Sequence, residues 1–212
     1  MRVLASLVST VLLCSCAGKV EYIRPTTVSI PGANTKIIDK PRDAVWNAAV
    51  PELGKQFFII NNLDKSSGLI NISYSGDPEK YIDCGRITSY VKNARGERVY
   101  DFAGAKAQQN YEIMEPGVGL FLIDRRMALE GRVNLVFQEL NSSQTRVTAN
   151  TRYLVQRQRT FQNLGNNSTQ TVSDSLSFNA GGSASFPQAP NSNTSECVAT
   201  CLLEVEILSA VR

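Results

Sequence analysis

The stretch Leu129–Val155, LEGRVNLVFQELNSSQTRVTANTRYLV, decides the fold. Leu129, Gly131, Val133, Leu135 and Phe137 alternate with Glu130, Arg132, Asn134, Val136 and Gln138. After Asn141-Ser142-Ser143-Gln144 the alternation resumes, with Val147, Ala149, Thr151, Tyr153 and Val155 set against Arg146, Thr148, Asn150 and Arg152. Successive side chains on a strand point to opposite faces, so a period of two with one apolar register means a strand covered on one face only. The polar break between the two halves is a turn. The pattern predicts a long antiparallel hairpin with a covered face and a wet face, with Arg132, Arg146 and Arg152 solvated.

Upstream, Lys40-Pro41 opens a helix, because proline suits the first turn, where its missing N–H is not needed. Val45, Ala49 and Leu53 fall on one side, with Trp46 and Val50 beside them; Trp46 reads as the core anchor. Pro51 is expected to kink or restart this helix, and Gly54 to loosen its end. Phe57 to Asn62, the turn cluster Asp64-Lys65-Ser66-Ser67-Gly68, and the alternating Ile70, Ile72 and Tyr74 read as a hairpin packed on the helix. Tyr81 to Gly85 reads as a short strand or a pinned loop. Residues 86–126 give no single reading: Gly96, Gly104 and Pro116-Gly117 mark turns, and Val99 to Phe102 fits an edge strand. Thr171 to Phe178 reads as a strand, and 179–194 as a flexible loop rich in Asn, Ser and Gly. Leu203, Ile207 and Val211, with Leu208 adjacent, predict a terminal helix from Thr200 or Cys201 to Ala210. The expected fold is α+β: an antiparallel sheet packed against an N-terminal and a C-terminal helix, in one domain over 40–212.

The first residues have the order of a secretory signal peptide: Met1-Arg2, an apolar run from Val3 to Leu13, and small Ser15. The run is too short to cross a membrane as a helix, which takes about 20 apolar residues. Leu13-Cys14-Ser15-Cys16 resembles the lipobox of bacterial lipoproteins. That resemblance implies removal of residues 1–15 and lipidation of Cys16. Ala17 follows, with no aspartate of the kind that retains such proteins in the inner membrane. The expected location is therefore the periplasmic face of the outer membrane. Residues 16–39, with Pro25, Pro31 and Gly32, read as a lipidated tether.

Composition excludes several chemistries. The chain has 22 Lys and Arg against 19 Asp and Glu, a formal net charge of +3, and no histidine. So slight a balance, spread along a secreted chain, predicts no nucleic-acid partner. Without histidine there is no Ser-His-Asp or Cys-His arrangement and no His-containing zinc pattern. No glycine-rich loop leads into Lys-Ser or Lys-Thr. Asp64, Asp83 and Asp124 show no spacing that singles out an acid–base pair, so no catalytic residue is named. No cofactor is expected. Cys197 and Cys201 lack the further ligands that a metal would need. Cys84, Cys197 and Cys201 remain after Cys16, and an oxidising compartment permits one bridge among them. Cys84 is expected to pair with Cys197, with Cys201 as the alternative. Cys197 precedes the terminal helix and could fix its docking. Cys201 lies in the first turn of that helix, where thiol pKa values fall.

Lys40-Pro41-Arg42-Asp43-Ala44-Val45-Trp46, followed by Phe58 and the Asp64–Gly68 turn, resembles the helix-grip domain of the outer-membrane assembly lipoproteins of the NlpB/BamC-like group. The resemblance covers roughly residues 40–160 and, more loosely, the terminal helix. It implies a curved antiparallel sheet wrapped around a helix and no catalysis. It also implies envelope protein partners, with the lipid as the membrane anchor. The function to expect is a scaffold or docking subunit of an envelope complex. A binding module for a small apolar ligand is the alternative, with binding residues that the sequence does not identify.

Cys16→Ser should release the protein from membranes or leave an unprocessed precursor. The intact mass of the mature protein should show acyl chains on Cys16, because stable attachment takes more than one chain. A mature protein without them would contradict the lipobox reading.

Overall fold

The computed structural model describes residues 17–26, 30, 32–56, 58–187 and 195–212. Outside them lie the expected signal segment and lipidation site (Met1 to Cys16), residues 27–29 and Pro31 of the expected tether, Phe57, and residues 188–194 of the expected loop. In chain order the elements begin with β1 (Ala17–Ile23), β2 (Thr35–Ile38), α1 (Arg42–Gly54), β3 (Ile59–Asp64) and β4 (Leu69–Gly76). Then come β5 (Ile82–Asp83), β6 (Arg86–Asn93), β7 (Gly96–Ala103), β8 (Gln108–Glu115), β9 (Gly119–Asn141) and β10 (Gln144–Asn163). The chain closes with β11 (Thr169–Asn179), β12 (Ser183–Ser185), β13 (Glu196–Ala199) and α2 (Leu202–Ala210). The architecture is mainly β: mostly antiparallel sheet with two short helices.

The alternating hairpin is its centre. β9 and β10 run 23 and 20 residues and stay paired from the turn out to Phe121↔Asn163. The expected faces hold: Leu129, Val133, Leu135, Phe137, Val147, Ala149, Tyr153 and Val155 are buried, and Arg132 and Arg152 are exposed. Arg146 is half-buried rather than exposed, because β2 pairs with β10 there and lays Ile37 opposite it. Beyond Leu129 and Val155 the hairpin continues in the same register through Met127, Arg125 and Ile123 on β9, and Arg157, Arg159 and Phe161 on β10. The alternation appeared shorter because arginines occupy the covered register there.

Different neighbours serve the two halves of the hairpin. Near the turn, β4 and β3 extend the sheet beside β9, and β2 lies on β10. At the open end, β8 pairs β9 and β11 pairs β10. The helices cover the turn-proximal half. α1 contributes Val45, Trp46, Ala49 and Leu53 to the core, and α2 contributes Leu203, Ile207 and Leu208. Each fully buried Val, Leu or Ile among them stabilises by about 1.5–3 kcal/mol. Trp46 meets Phe137 edge-on with ring centroids 5.1 Å apart, as a core anchor should. α1 neither restarts nor breaks at Pro51. Pro51 sits in the last turn on the exposed side, while Ala49 and Leu53 around it are fully buried, so packing outweighs one lost hydrogen bond. α2 is fixed at both ends. Its buried Glu204 accepts hydrogen bonds from Tyr153 Oη at 2.8 and 2.9 Å, and Lys36 Nζ on β2 donates to the carbonyls of Leu208 and Val211 at 3.1 and 2.7 Å. A cation on the final carbonyls of a helix opposes its dipole favourably.

The segment expected as a tether contributes two strands. β1 pairs with β6, and β2 with β10; each supplies ladder hydrogen bonds that the neighbouring strand's edge would otherwise lack. Residues 86–126, left open by the sequence, form β6, β7, β8 and the start of β9, with the turns at Gly96 and Pro116-Gly117 where expected. The order β1-β6-β7 makes a second small sheet over the open end of the hairpin. Part of the expected 179–194 loop is strand β12, paired with β13.

Cys84 and Cys197 form the expected disulfide, spanning 113 residues. Cys201 is buried outside that bond, at the cap position of α2, with φ of 63°. Thr200, the expected cap, sits one residue earlier and its hydroxyl accepts from the Leu202 N–H at 3.4 Å.

Val147→Asp should destabilise by several kcal/mol, since an unpaired charge in the core meets the full desolvation cost. Arg132→Ala should stay within about 1 kcal/mol. Equal shifts in Tm would mean the register is wrong by one residue. Replacing both Cys84 and Cys197 by serine should cost about 2–5 kcal/mol, from the long loop that the bridge closes in the unfolded chain; urea titration measures it, and an unchanged midpoint would contradict the clamp.

Candidate functional site

Where the small sheet faces the open end of the long hairpin, the two layers enclose a cavity of about 740 Å³. The register places its walls. On the covered face, Arg125 of β9 lies directly opposite Arg159 of β10, which lies opposite Val172 of β11. One step toward the helices, Met127 is opposite Arg157, and Arg157 opposite Asp174. One step outward, Tyr111, Ile123, Phe161 and Gln170 form a tier across β8, β9, β10 and β11. Ile113 and Phe121 come next. Tyr22 and Ile87, from β1 and β6, close the cavity from the other layer. Exposure rises along this axis: Arg125 is 1% exposed and Ile123 2%, Phe121 and Ile113 are half-buried, and Pro116 and Val20 are exposed. The cavity therefore has arginines at depth, apolar and aromatic walls, and a mouth at the β8–β9 turn beside β1.

The arginines are unevenly satisfied. Arg157 makes a two-pronged ion pair with Asp174, Nε to Oδ1 at 2.8 Å and Nη2 to Oδ2 at 2.6 Å, and lies over the Phe186 ring at 3.9 Å. Arg159 shares the same carboxylate at 3.3 Å. Among the described residues Arg125 has no carboxylate in salt-bridge contact: its Nη2 donates to the Gly104 carbonyl and contacts Met127 Sδ at 2.7 Å. Arg125 Nη1 and Arg159 Nε make no hydrogen bond among the described residues. Burial pulls the Arg125 guanidinium down to about 10, helped by the repulsion of Arg157 and Arg159. Burial lowers Arg159 as well, with Arg157 adding to it. Tyr111, buried beside them, is raised chiefly by desolvation.

Backbone geometry holds Arg125 in place. Gly104 packs so closely on the Cys84 carbonyl that a Cβ there would overlap it, and its N–H donates to Gly85 at 2.6 Å. Gly85 has φ of 73°, a conformation that glycine adopts without strain. The Gly104 carbonyl is thereby turned toward Arg125. Tyr22 Oη donates to the Glu196 carbonyl at 3.1 Å and accepts from the Glu196 N–H at 2.9 Å, fixing β1 to β13 beside the disulfide.

The acids weighed in the sequence are each tied locally. Asp64 accepts hydrogen bonds from Ser66 and Ser67, which hold its carboxyl down at about 2. Asp83 accepts from the Gly85 N–H at 2.8 Å, and Asp124 pairs with Arg126 at 3.1 Å. Among the described residues no three His, Cys, Asp or Glu gather as metal ligands, and no helix is long and apolar enough to cross a membrane. Sequence reasoning missed Arg125, Arg157, Arg159 and Asp174. The signal was present: Arg125 shares parity with Leu129, and Arg157 and Arg159 share parity with Val155, so continued alternation puts all three arginines on the covered face. Comparison with protein-family models, characterised proteins and solved structures gives no match.

Arg125→Met should raise stability by about 1–4 kcal/mol, because an apolar side chain of similar length avoids desolvating a guanidinium. The sign follows from the depressed pKa of about 10, against an ordinary value of 12.5. A base that holds its proton less tightly when folded is penalised at every pH below that value and is relieved only as it deprotonates. Asp174→Asn should cost about 3–5 kcal/mol, since it strips the one carboxylate from two buried guanidiniums. Thermal melts at pH 7 read both, and a fall in Tm for Arg125→Met would contradict the assignment of Arg125 as a destabilising charge.

Proposed function

We propose that the chain is a non-enzymatic lipoprotein of the outer membrane whose periplasmic domain binds a small, largely apolar ligand. The observation that carries this is the cavity of about 740 Å³ between the layers, lined by Ile87, Ile123, Phe121 and Phe161 around a few convergent polar groups. Ligand sites typically enclose about 300–1,000 Å³ with this mixture of walls. The signal-like Met1 to Ser15 segment and the lipobox-like ending at Cys16 support export and anchoring. α1 and α2 both pack on the turn-proximal part of the long hairpin, which favours a helix-grip-like arrangement related to the assembly lipoproteins. Docking to envelope proteins is the second reading. It draws support from the outermost strands β3 and β7, which carry the exposed Ile59, Leu63 and Val99. An unpaired strand edge is a template for another chain.

Native mass spectrometry of the protein extracted from its own membranes separates the two. Ligand binding predicts one small apolar molecule retained per chain and lost on unfolding. A chain without such a molecule, crosslinked reproducibly to one envelope protein through β3 or β7, would overturn it in favour of docking.

A further inference from the structure

The arginines narrow the ligand class. Residues directly opposite on antiparallel strands have Cβ atoms about 4.5–5.5 Å apart, and like charges in that position repel. Arg125 and Arg159 hold that relation on the covered face. The carboxylate beside them, Asp174, is already gripped by both prongs of Arg157. Two guanidinium edges, Arg125 Nη1 and Arg159 Nε, keep hydrogen-bonding capacity unused among the described residues, and Arg125 is 99% buried. A guanidinium fork matches a carboxylate or a phosphate. Above this pair, toward the mouth, the next two tiers of the hairpin sheet carry large apolar groups: Tyr111, Ile123 and Phe161, then Ile113 and Phe121.

We infer that the cavity takes a single-chain anionic amphiphile, its carboxylate or phosphate head between Arg125 and Arg159 and its chain along Ile123, Phe161, Phe121 and Ile113. This rests on the ligand-binding reading and names the ligand's chemistry. The head enters first, since the charges lie deep and the apolar tiers lie toward solvent. The acyl groups implied on Cys16 carry no anionic head and would leave both guanidiniums unmatched. Free phosphate would match the arginines but would leave the apolar tiers without a partner.

The test titrates the mature protein in a non-ionic detergent with laurate, dodecyl phosphate, 1-dodecanol and inorganic phosphate, and reads adducts by native mass spectrometry. The expected result is one laurate or dodecyl phosphate per chain, dodecanol at least tenfold weaker, and no phosphate adduct. Arg125→Met should reduce laurate binding to the level of dodecanol and leave dodecanol unchanged. The head-group comparison in the unaltered protein stands whether or not the variant folds. Dodecanol binding as tightly as laurate would overturn the anionic head and keep the apolar-ligand reading. Phosphate binding as tightly as dodecyl phosphate would make this a free-anion site and overturn the amphiphile. Binding of none of the four would remove the inference, and the membrane-extracted protein would then decide the broader reading by what it retains.

Discussion

The unbroken β9–β10 ladder is the constraint on which the other elements depend. One hairpin, paired from the turn at Asn141 to Phe121↔Asn163, forms the floor of two different covers. Near the turn its covered face meets two helices, and Leu135, Phe137, Val147 and Tyr153 are buried at that interface. At the open end the cover is a sheet. Side chains of Ile87 and Tyr22 reach down to Ile123 and Phe161 rather than interdigitating along a helix. A continuous ladder cannot change face between the two regions, because side-chain alternation is strict. The same parity that buries Leu129 and Val155 must therefore bury Arg125 and Arg157.

Burying those guanidiniums works against stability, and the surroundings offset it only in part. Asp174 neutralises one charge, the Phe186 ring lies over Arg157, and the Gly104 carbonyl takes one prong of Arg125. That last contact reaches back to the disulfide. Gly104 is packed against Cys84, and Cys84 is bonded to Cys197 on β13, which Tyr22 ties to β1. The covalent clamp was expected to fix the docking of the terminal helix. It also sits behind the cavity, where it holds the carbonyl that orients Arg125. Reduction of the bridge would loosen the β5–β13 pairing and the wall of the site together.

The turn-proximal half of the molecule was legible because each residue there obeys one rule. Val133, Val147 and Tyr153 are apolar where the period of two requires it, and Val45, Ala49 and Leu53 repeat at helical spacing. The disulfide was legible from the export signal and from the place of Cys197 just before the terminal helix, with Cys201 left as the alternative partner. The open half was not. In β6, β7 and β8, Thr88, Ser89, Tyr100, Tyr111 and Glu112 blur the apolar contrast, and β6 and β8 line a partly polar cavity through Ile87, Tyr111 and Ile113. β1 and β2 were read as tether because short strands next to Pro25, Pro31 and Gly32 carry too few residues to show a period. Their strand character comes from the edges of β6 and β10 that they complete. Arg125 and Arg159 were left unread, because charge normally marks the wet face and ends an apolar register. The departure from that rule falls at the candidate site, as local inconsistencies tend to.

If Cys16 carries the lipid that the lipobox resemblance implies, the place of β1 would join anchoring to the cavity. β1 starts at Ala17, one residue after the cysteine that the lipobox resemblance marks, and its Val20 to Tyr22 segment lines the cavity, with the exposed Val20 toward the mouth. Four extended residues reach at most about 14 Å, so a lipid on Cys16 would hold the mouth near the bilayer surface. A long flexible tether would instead let the domain turn freely and would give the mouth no preferred direction. Pairing of β1 with β6 removes that freedom, and the Tyr22–Glu196 contacts fix the strand at its far end. With a membrane on that side, an amphiphile leaving the bilayer head-first meets Glu21 and Glu115 at the rim before the arginines. Glu21 is paired with Lys19 there and solvent screens Glu115, so the rim holds an anion only weakly. The attraction is then concentrated at depth, where an apolar chain must follow the head inward for the arginines to be reached.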